Sequence, residues 1–221
     1  MANQDIHREW ASRIRGQEGS EPLAESVVEI LDCAALCFTE TGFQGTSIDD
    51  VARRLGATKG RIYHYFRSKT DLFFEVHREG MKRLMGAVIE AKSAGGTGRE
   101  TLQRMVEAHA LTMMQNVAYE AVVVQGVHLH RLSATTPEQR VILDELMDVR
   151  HRFEQMFVEV FEAAKADGSA RQDADTSLAV KGMLGAVNWM AIWYRPRQDD
   201  SLETQQAMAR NLAKLQVEGI G

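Results

Sequence analysis

Cysteine, proline and long uncharged apolar runs are all scarce in this sequence. Cys33 and Cys37 are its two cysteines. No histidine or second cysteine pair accompanies them in the pattern of a zinc site, so we interpret them as small buried side chains. The longest uncharged apolar run, Gly182–Tyr194, is too short to cross a bilayer. Charges throughout Met1–Gln17 exclude a secretory signal there. We therefore expect a cytoplasmic protein without a membrane partner.

Prolines interrupt the chain at only three positions, 22, 137 and 196. Between them, apolar residues recur at steps of three and four, and the alternation typical of strands is absent. The pattern predicts an all-α fold of about nine helices.

Catalytic motifs are also absent. The sequence contains no Gly-x-Ser-x-Gly elbow, no phosphate-binding glycine loop and no paired carboxylates set apart from ordinary helix surface. We therefore expect no enzyme activity, no catalytic residues, no cofactor and no bound metal.

Positive charge is concentrated in one place. The net charge of the chain is −5, but the window 51–70 holds six basic residues and no acidic one. Such a run is either a solvated helix face or a surface for nucleic acid. The signals for helix starts and ends in the same window favour a surface that binds nucleic acid.

Two short helices are predicted inside this basic window. A first helix at about 23–40 ends at Gly42. Thr46 or Ser47 then caps a second helix that ends at Gly56, and Thr58 caps a third. The stretch 47–66 is short, and it therefore predicts two short helices joined by a tight turn, which is a helix-turn-helix.

The start of the third helix has the side chains that reading a major groove requires. Lys59 and Arg61 can reach base edges or phosphates, and Gly60 lets the backbone approach the DNA. Further hydroxyl, imidazole and ammonium groups near helix starts suit phosphates. Of Tyr63 and Tyr65, one is expected in the core, together with Phe66. The predicted DNA contacts are Thr46, Ser47, Thr58, Lys59, Gly60, Arg61, Tyr63, His64 and Lys69.

A spaced pattern of apolar, glycine and aromatic residues runs through these helices. It reads Ile30…Ala34…Phe38…Gly42-Phe43…Thr46-Ser47-Ile48…Val51-Ala52…Leu55-Gly56…Lys59-Gly60…Ile62-Tyr63-His64-Tyr65-Phe66…Ser68-Lys69…Leu72. Over about residues 24–75 this pattern resembles the DNA-binding signature of the TetR family of bacterial repressors. The resemblance implies that the helix at 58–65 reads the operator and that DNA is contacted by Thr46, Lys59, Tyr63, His64 and Lys69.

The resemblance also implies a homodimer on a palindromic operator, with repression relieved by a ligand. It suggests a DNA-binding domain at 21–70 and a helical ligand-binding and dimerisation domain at 71–221. Arg61 departs from the small residue often seen at that position, which leaves the operator sequence open. The basic segment 1–20 is expected to be a flexible arm that either enters a minor groove or remains a solubilising tail.

The apolar segment 182–194 is the predicted dimer contact. It is apolar on every side, so both of its faces must be covered, either by a partner or by the chain's own core. Small residues there permit close approach of helices across a two-fold axis, with tryptophan beside them. The predicted interface residues are Gly182, Gly185, Ala186 and Trp193.

Methionine and aromatic residues in the second domain are candidates for an effector pocket, although residues in such a pattern more often belong to plain core. The predicted pocket residues are Met105, His109, Met113, Phe153, Phe157, Asn188 and Trp189. The stretch Asn188-Trp189…Trp193-Tyr194-Arg195-Pro196 is similar to family members that control fatty-acid or steroid catabolism and respond to acyl-CoA thioesters. We therefore expect an acyl-CoA or another long apolar effector. The alternatives are a regulator of efflux or detoxification genes that binds hydrophobic drug-like or aromatic ligands, and an architectural DNA-binding protein without a ligand.

Overall fold

A computed structural model describes residues 25–132, 136–197 and 200–219. The described part of the chain consists of nine α-helices and one further single helical turn, and it contains no strand. The predicted all-α class with about nine helices is confirmed. The arm predicted for residues 1–20 lies outside the described residues.

The chain divides into two compact units, and the division falls between Val76 and His77. Helices that begin before the division are α1 (Glu25–Gly45), α2 (Ile48–Leu55), α3 (Lys59–Tyr65) and α4 (Lys69–Ser93), of which α4 continues past it. The later helices are α5 (Gly98–Gln115), α6 (Val117–Leu132), α7 (Pro137–Ala166), α8 (Thr176–Asn188), α9 (Met190–Trp193) and α10 (Leu202–Glu218).

The helix starts follow the capping signals in the sequence. The Ser47 hydroxyl accepts the Asp50 amide at 3.2 Å, while the Asp50 carboxylate accepts the Ser47 amide at 2.9 Å. The same reciprocal pairing begins α5 at Thr97 and α7 at Thr136. These boxes satisfy amides that have no partner within the helix, and so they set where each helix begins.

Helix α1 extends further than its predicted end near residue 40. Gly42 has a φ of 72° and a ψ of 169°, which breaks the helical geometry as the sequence predicts. A turn forms beyond the break because the Thr46 amide donates to the Gly42 carbonyl at 3.1 Å. The helix therefore ends in a kinked last turn that carries the chain into α2.

The core of the first unit joins α1, α2, α3 and the start of α4. Phe38 packs edge to face on Phe73 with ring centroids 5.2 Å apart. The fully buried apolar side chains of this unit also include Ile30, Leu31, Ala34, Val51, Ile62, Phe66 and Leu72. Burial of this size fixes α3 firmly against α1 and α2.

Helix α5 is the centre of the second unit. It packs most extensively against α10 and also contacts α7 and α8. Its inward face is buried along most of its length. Helix α8 stops at Asn188, and the single turn α9 follows it, whereas periodicity alone predicts one continuous helix to about residue 194. Among the helices described, none is both long enough and apolar enough to span a membrane.

Two histidines are fully buried in the second unit. Neither ring nitrogen of His77 or of His109 has a hydrogen-bond partner within the described part of the chain. Burial, reinforced by the positive charge of Arg150, lowers the pKa of each imidazole to about 3. Both histidines are therefore neutral in the folded protein at physiological pH.

Acid is expected to destabilise the folded protein through these histidines. The unfolded chain binds a proton at each imidazole near pH 6.5 and the folded chain does not, so stability falls as pH drops from about 6.5 toward 3. Each histidine contributes a slope of about 1.4 kcal/mol per pH unit. Urea unfolding at a fixed protein concentration and several pH values measures the slope. His109→Phe should reduce this slope by about 1.4 kcal/mol per pH unit, because the unfolded variant binds one proton fewer. An unchanged slope would contradict a neutral, buried His109.

Candidate functional site

The start of α3 presents basic side chains at the surface of the first unit. Thr58 precedes the helix with extended backbone, and its side chain makes no capping hydrogen bond. Thr58, Lys59 and Gly60 are all exposed. Hydrophobic contacts of Ile62, which is fully buried on the opposite side, hold the helix in place. The geometry presents one rigid helix end to a ligand outside the protein.

Two ion pairs hold the cations of α3. Lys59 Nζ lies 2.7 Å from Asp49 Oδ2 on α2, and Arg61 Nη2 lies 2.5 Å from Glu29 Oε2 on α1. All four side chains are partly exposed to solvent. Ion pairs of this kind contribute only about 0.2–1 kcal/mol, so phosphates or base edges can replace the carboxylates at low cost.

The aromatic residues of α3 separate into an outer and an inner group. Tyr63 and His64 are exposed. Tyr65 is half-buried with its hydroxyl 3.0 Å from Ser26 Oγ, and Phe66 is fully buried. Phe66 belongs to the core as expected, whereas Tyr65, the more enclosed of the two tyrosines, is only half-buried. Tyr63 and His64 remain available to an external partner.

Thr46 requires a correction, because the sequence places it among the DNA contacts and the structure turns it inward. Its side chain is 2% exposed. Its hydroxyl lies 2.7 Å from the Gly42 carbonyl oxygen and 3.1 Å from that of Cys37. The hydroxyl therefore stabilises the end of α1 and is not presented to solvent. Ser47, the neighbouring cap, is exposed, and its contact with DNA stays a prediction.

Lys69 is also predicted as a DNA contact, and the structure instead bonds its side chain to the backbone of the first unit. Its ammonium group donates to the carbonyl oxygens of Phe43 at 2.7 Å and Thr46 at 2.8 Å, and it lies 4.6 Å from the centroid of the Phe43 ring. Burial lowers the pKa of this ammonium group. The ammonium group therefore forms its hydrogen bonds within the first unit, and these bonds connect the start of α4 to the end of α1.

Lys69→Met is expected to lower the free energy of unfolding by about 1.5–3 kcal/mol, because two carbonyls lose a hydrogen bond to a charged donor. Methionine keeps most of the apolar stem. Thermal or urea unfolding of the DNA-free protein measures the loss. The matched control is Arg67→Met, an exposed cation two residues away, with an expected effect under about 0.5 kcal/mol. Unchanged stability with weakened DNA binding would instead make Lys69 a phosphate contact.

A cavity of about 360 Å³ lies in the second unit between α4, α7 and α8. Met81 and Leu84 of α4 form one wall. The other walls come from α7 and α8, with Met147, Arg150, His151, Phe153, Glu154, Lys181, Leu184, Gly185 and Asn188. Its volume is within the range of small-molecule sites, and its lining combines apolar walls with a few polar groups.

The predicted pocket residues divide into three groups. Phe153 and Asn188 line this cavity. Met105, His109, Met113 and Phe157 are buried in the core and do not line it, because they lie on or against the central helix α5. Trp189 is 61% exposed, which removes it from an enclosed pocket within one chain. The sequence pattern does not identify Arg150 as a pocket residue, because a cation within a long helix usually lies on the solvated surface.

Apolar side chains and open glycines share the outer face of α8 and α9. Leu178 is 72% exposed, and Trp189, Ile192 and Trp193 are also exposed. Gly182 and Gly185 are exposed as well, and a Cβ built on either meets nothing within 4 Å. Ala186 is half-buried. A contiguous apolar surface of this kind is typical of a protein contact.

Comparison with known proteins gives consistent matches. The sequence model described as bacterial regulatory proteins, tetR family, matches residues 30–76, and that described as tetracyclin repressor-like, C-terminal domain, matches residues 95–220. The HTH-type transcriptional repressor KstR2 of Rhodococcus jostii is 32% identical over 177 residues, which cover 80% of this chain and 83% of that protein.

Two solved structures share the fold. The ketosteroid transcriptional regulator KstR2 of Mycobacterium tuberculosis superposes with a TM-score of 0.77 at 22% identity, covering 92% of this chain and 98% of that one. AibR in complex with isovaleryl coenzyme A and operator DNA superposes with a TM-score of 0.69 at 22% identity, covering 89% of this chain and 98% of that one.

Proposed function

This chain belongs to the TetR family of transcriptional regulators, and from that premise we propose that it is a homodimeric repressor that leaves its operator when an effector binds. The family and the relatives are transcriptional regulators and not enzymes. The observation that carries the proposal is the exposed start of α3, where Lys59 and Arg61 are held in position by single, replaceable carboxylates.

Lys59 and Arg61 are the proposed base-reading residues. They lie at the start of the helix that the family uses to enter the major groove, and a guanidinium can donate two parallel hydrogen bonds to guanine. Exposed groups around them are proposed to hold the sugar-phosphate backbone, namely Ser47, Thr58, Gly60, Tyr63 and His64. Thr46 and Lys69 support this surface from within the first unit.

A palindromic operator follows from the proposed dimer, because two-fold related reading helices require two-fold related half-sites. The exposed face of α8 and α9 is the proposed dimer contact. Gly182, Gly185 and Trp193 lie on it, and Ala186 is proposed to be covered at its edge.

An acyl-CoA ester is the proposed effector, bound in the cavity between α4, α7 and α8. The apolar walls suit an acyl or ring-containing body. AibR, which shares the fold, is described in complex with isovaleryl coenzyme A, and the Rhodococcus relative is a KstR2 repressor.

Selection of genomic DNA fragments by the purified full-length protein tests the proposal. We expect enrichment of a palindrome whose binding weakens steeply with salt. Adding acyl-CoA esters of several chain lengths should release it, with free coenzyme A as the control. Failure to enrich any sequence would exclude an operator-binding regulator. Release by hydrophobic drug-like compounds alone would replace the acyl-CoA effector with the efflux or detoxification alternative.

A further inference from the structure

We infer that the cavity of the second unit recognises an oxyanion attached to an apolar body, and that Arg150 is the residue that selects for the anion. The inference rests on the proposed effector function of this cavity and adds the charge of the effector to it. Either a carboxylate or a phosphate ester supplies the required chemistry, since a guanidinium donates two parallel hydrogen bonds to both.

Arg150 is a largely enclosed cation that is bonded to no residue in the described part of the chain. It lies near the middle of α7, lines the cavity and is only partly accessible to solvent. Among the hydrogen bonds and ion pairs of the described residues, none involves its guanidinium group. Burial lowers its pKa, partly offset by Glu120 and Glu154. An enclosed charge in this condition is stabilised when a ligand supplies a counter-charge.

The nearest acidic residues do not neutralise Arg150. Glu120 on α6 is fully buried, and its Oε1 has no hydrogen-bond partner in the described part of the chain. Burial raises its pKa well above the ordinary value, which favours the neutral carboxyl group. Glu154, at the cavity wall, faces Lys181 with Oε1 3.9 Å from Nζ. Arg150 and Lys181 line the cavity together with a single carboxylate, Glu154, so the lining keeps an excess of positive charge.

The remaining lining defines the rest of the ligand. Met81, Leu84, Phe153 and Leu184 supply apolar parts of the same lining. Asn188 adds an amide that can both donate and accept a hydrogen bond. One strong anion site within apolar walls matches an amphiphile with a single charged end, and it disfavours an uncharged ligand that would leave Arg150 without a partner.

The test compares three probes of equal chain length, which are decanoic acid, decanoyl-CoA and decanol, by calorimetric titration of the full-length protein. We expect wild type to bind decanoic acid, decanoyl-CoA or both at least about 10-fold more tightly than decanol. The anion that binds more tightly distinguishes a carboxylate from a phosphate source. If neither anion binds more tightly than decanol, the inference is overturned.

Arg150→Met should abolish the preference for the anion, and decanol should bind to it at least as tightly as to the wild type, because the uncharged ligand no longer leaves a guanidinium group without a partner. The matched control is Arg152→Met, an exposed arginine on the same helix that does not line the cavity, and it should keep the preference. Arg150→Lys keeps the charge without the bidentate geometry, so it should retain part of the preference for the anion. This variant replaces Arg150→Met in the test if the methionine variant does not fold. Equal loss for acid and alcohol, or equal effects of the two arginines, would overturn the inference. Operator binding without ligand is measured in parallel, so that failure of the regulator proposal is seen separately.

Discussion

A leucine in place of Gly182 is expected to turn the proposed dimer into monomers and to weaken operator binding by about 100-fold or more, because two linked half-sites contribute avidity that one cannot. Gly182 lies on the exposed face of α8, and a Cβ there meets nothing within 4 Å of its own chain. A leucine side chain would therefore occupy the space in which the partner helix is proposed to pack. Gly185 is less suited to this test because it also lines the cavity.

Gly86→Leu is the matched control for the dimer experiment. Gly86 is also an exposed helical glycine with open space around its Cβ, but it lies on α4. Leucine favours a helix over glycine by about 0.8–1 kcal/mol, so neither variant should lose its fold. Sedimentation equilibrium gives the oligomeric state, and fluorescence anisotropy gives the operator affinity. If Gly182→Leu remains a dimer at wild-type concentrations, the contact lies elsewhere.

Arg61→Ala is expected to weaken operator binding by about 10-fold or more for each half-site and to relax the sequence preference at one base pair, since one bidentate base contact is worth about 1–3 kcal/mol. Glu29→Gln should act in the opposite direction. It removes the carboxylate that lies 2.5 Å from the Arg61 guanidinium in the DNA-free protein. An exposed ion pair of this kind is weak, so the gain in affinity should be about 2- to 5-fold.

Anisotropy titrations against single base-pair variants of the selected operator, at one salt concentration, test these expectations. Arg67→Ala is the control for Arg61, because Arg67 is an exposed cation of the same basic window outside α3. It should weaken binding to all variants alike. Glu90→Gln, an exposed carboxylate on α4, controls for the change in net charge caused by Glu29→Gln. A uniform loss for Arg61→Ala would mean that this residue does not read a base.

Much of the fold was open to prediction because its signals are local. The capping boxes at Ser47, Thr97 and Thr136 each act across three residues, and all three begin helices. Gly56 ends α2 in the left-handed region for the same kind of reason. The exposure of the start of α3 was also predictable, because polar residues precede its buried Ile62 at helical spacing.

The sequence by itself determined an all-helical chain with a helix-turn-helix in one basic window, because periodicity, caps and local charge act over a few neighbouring residues. Tertiary structure decided the roles of polar side chains whose partners are distant in sequence. It turned Thr46 toward the carbonyls of α1, directed Lys69 back to Phe43, and enclosed Arg150 among helices, where no described residue forms an ion pair with it. The free energy of a polar group depends on which remote atoms surround it and on how much water remains, and only the folded chain determines both.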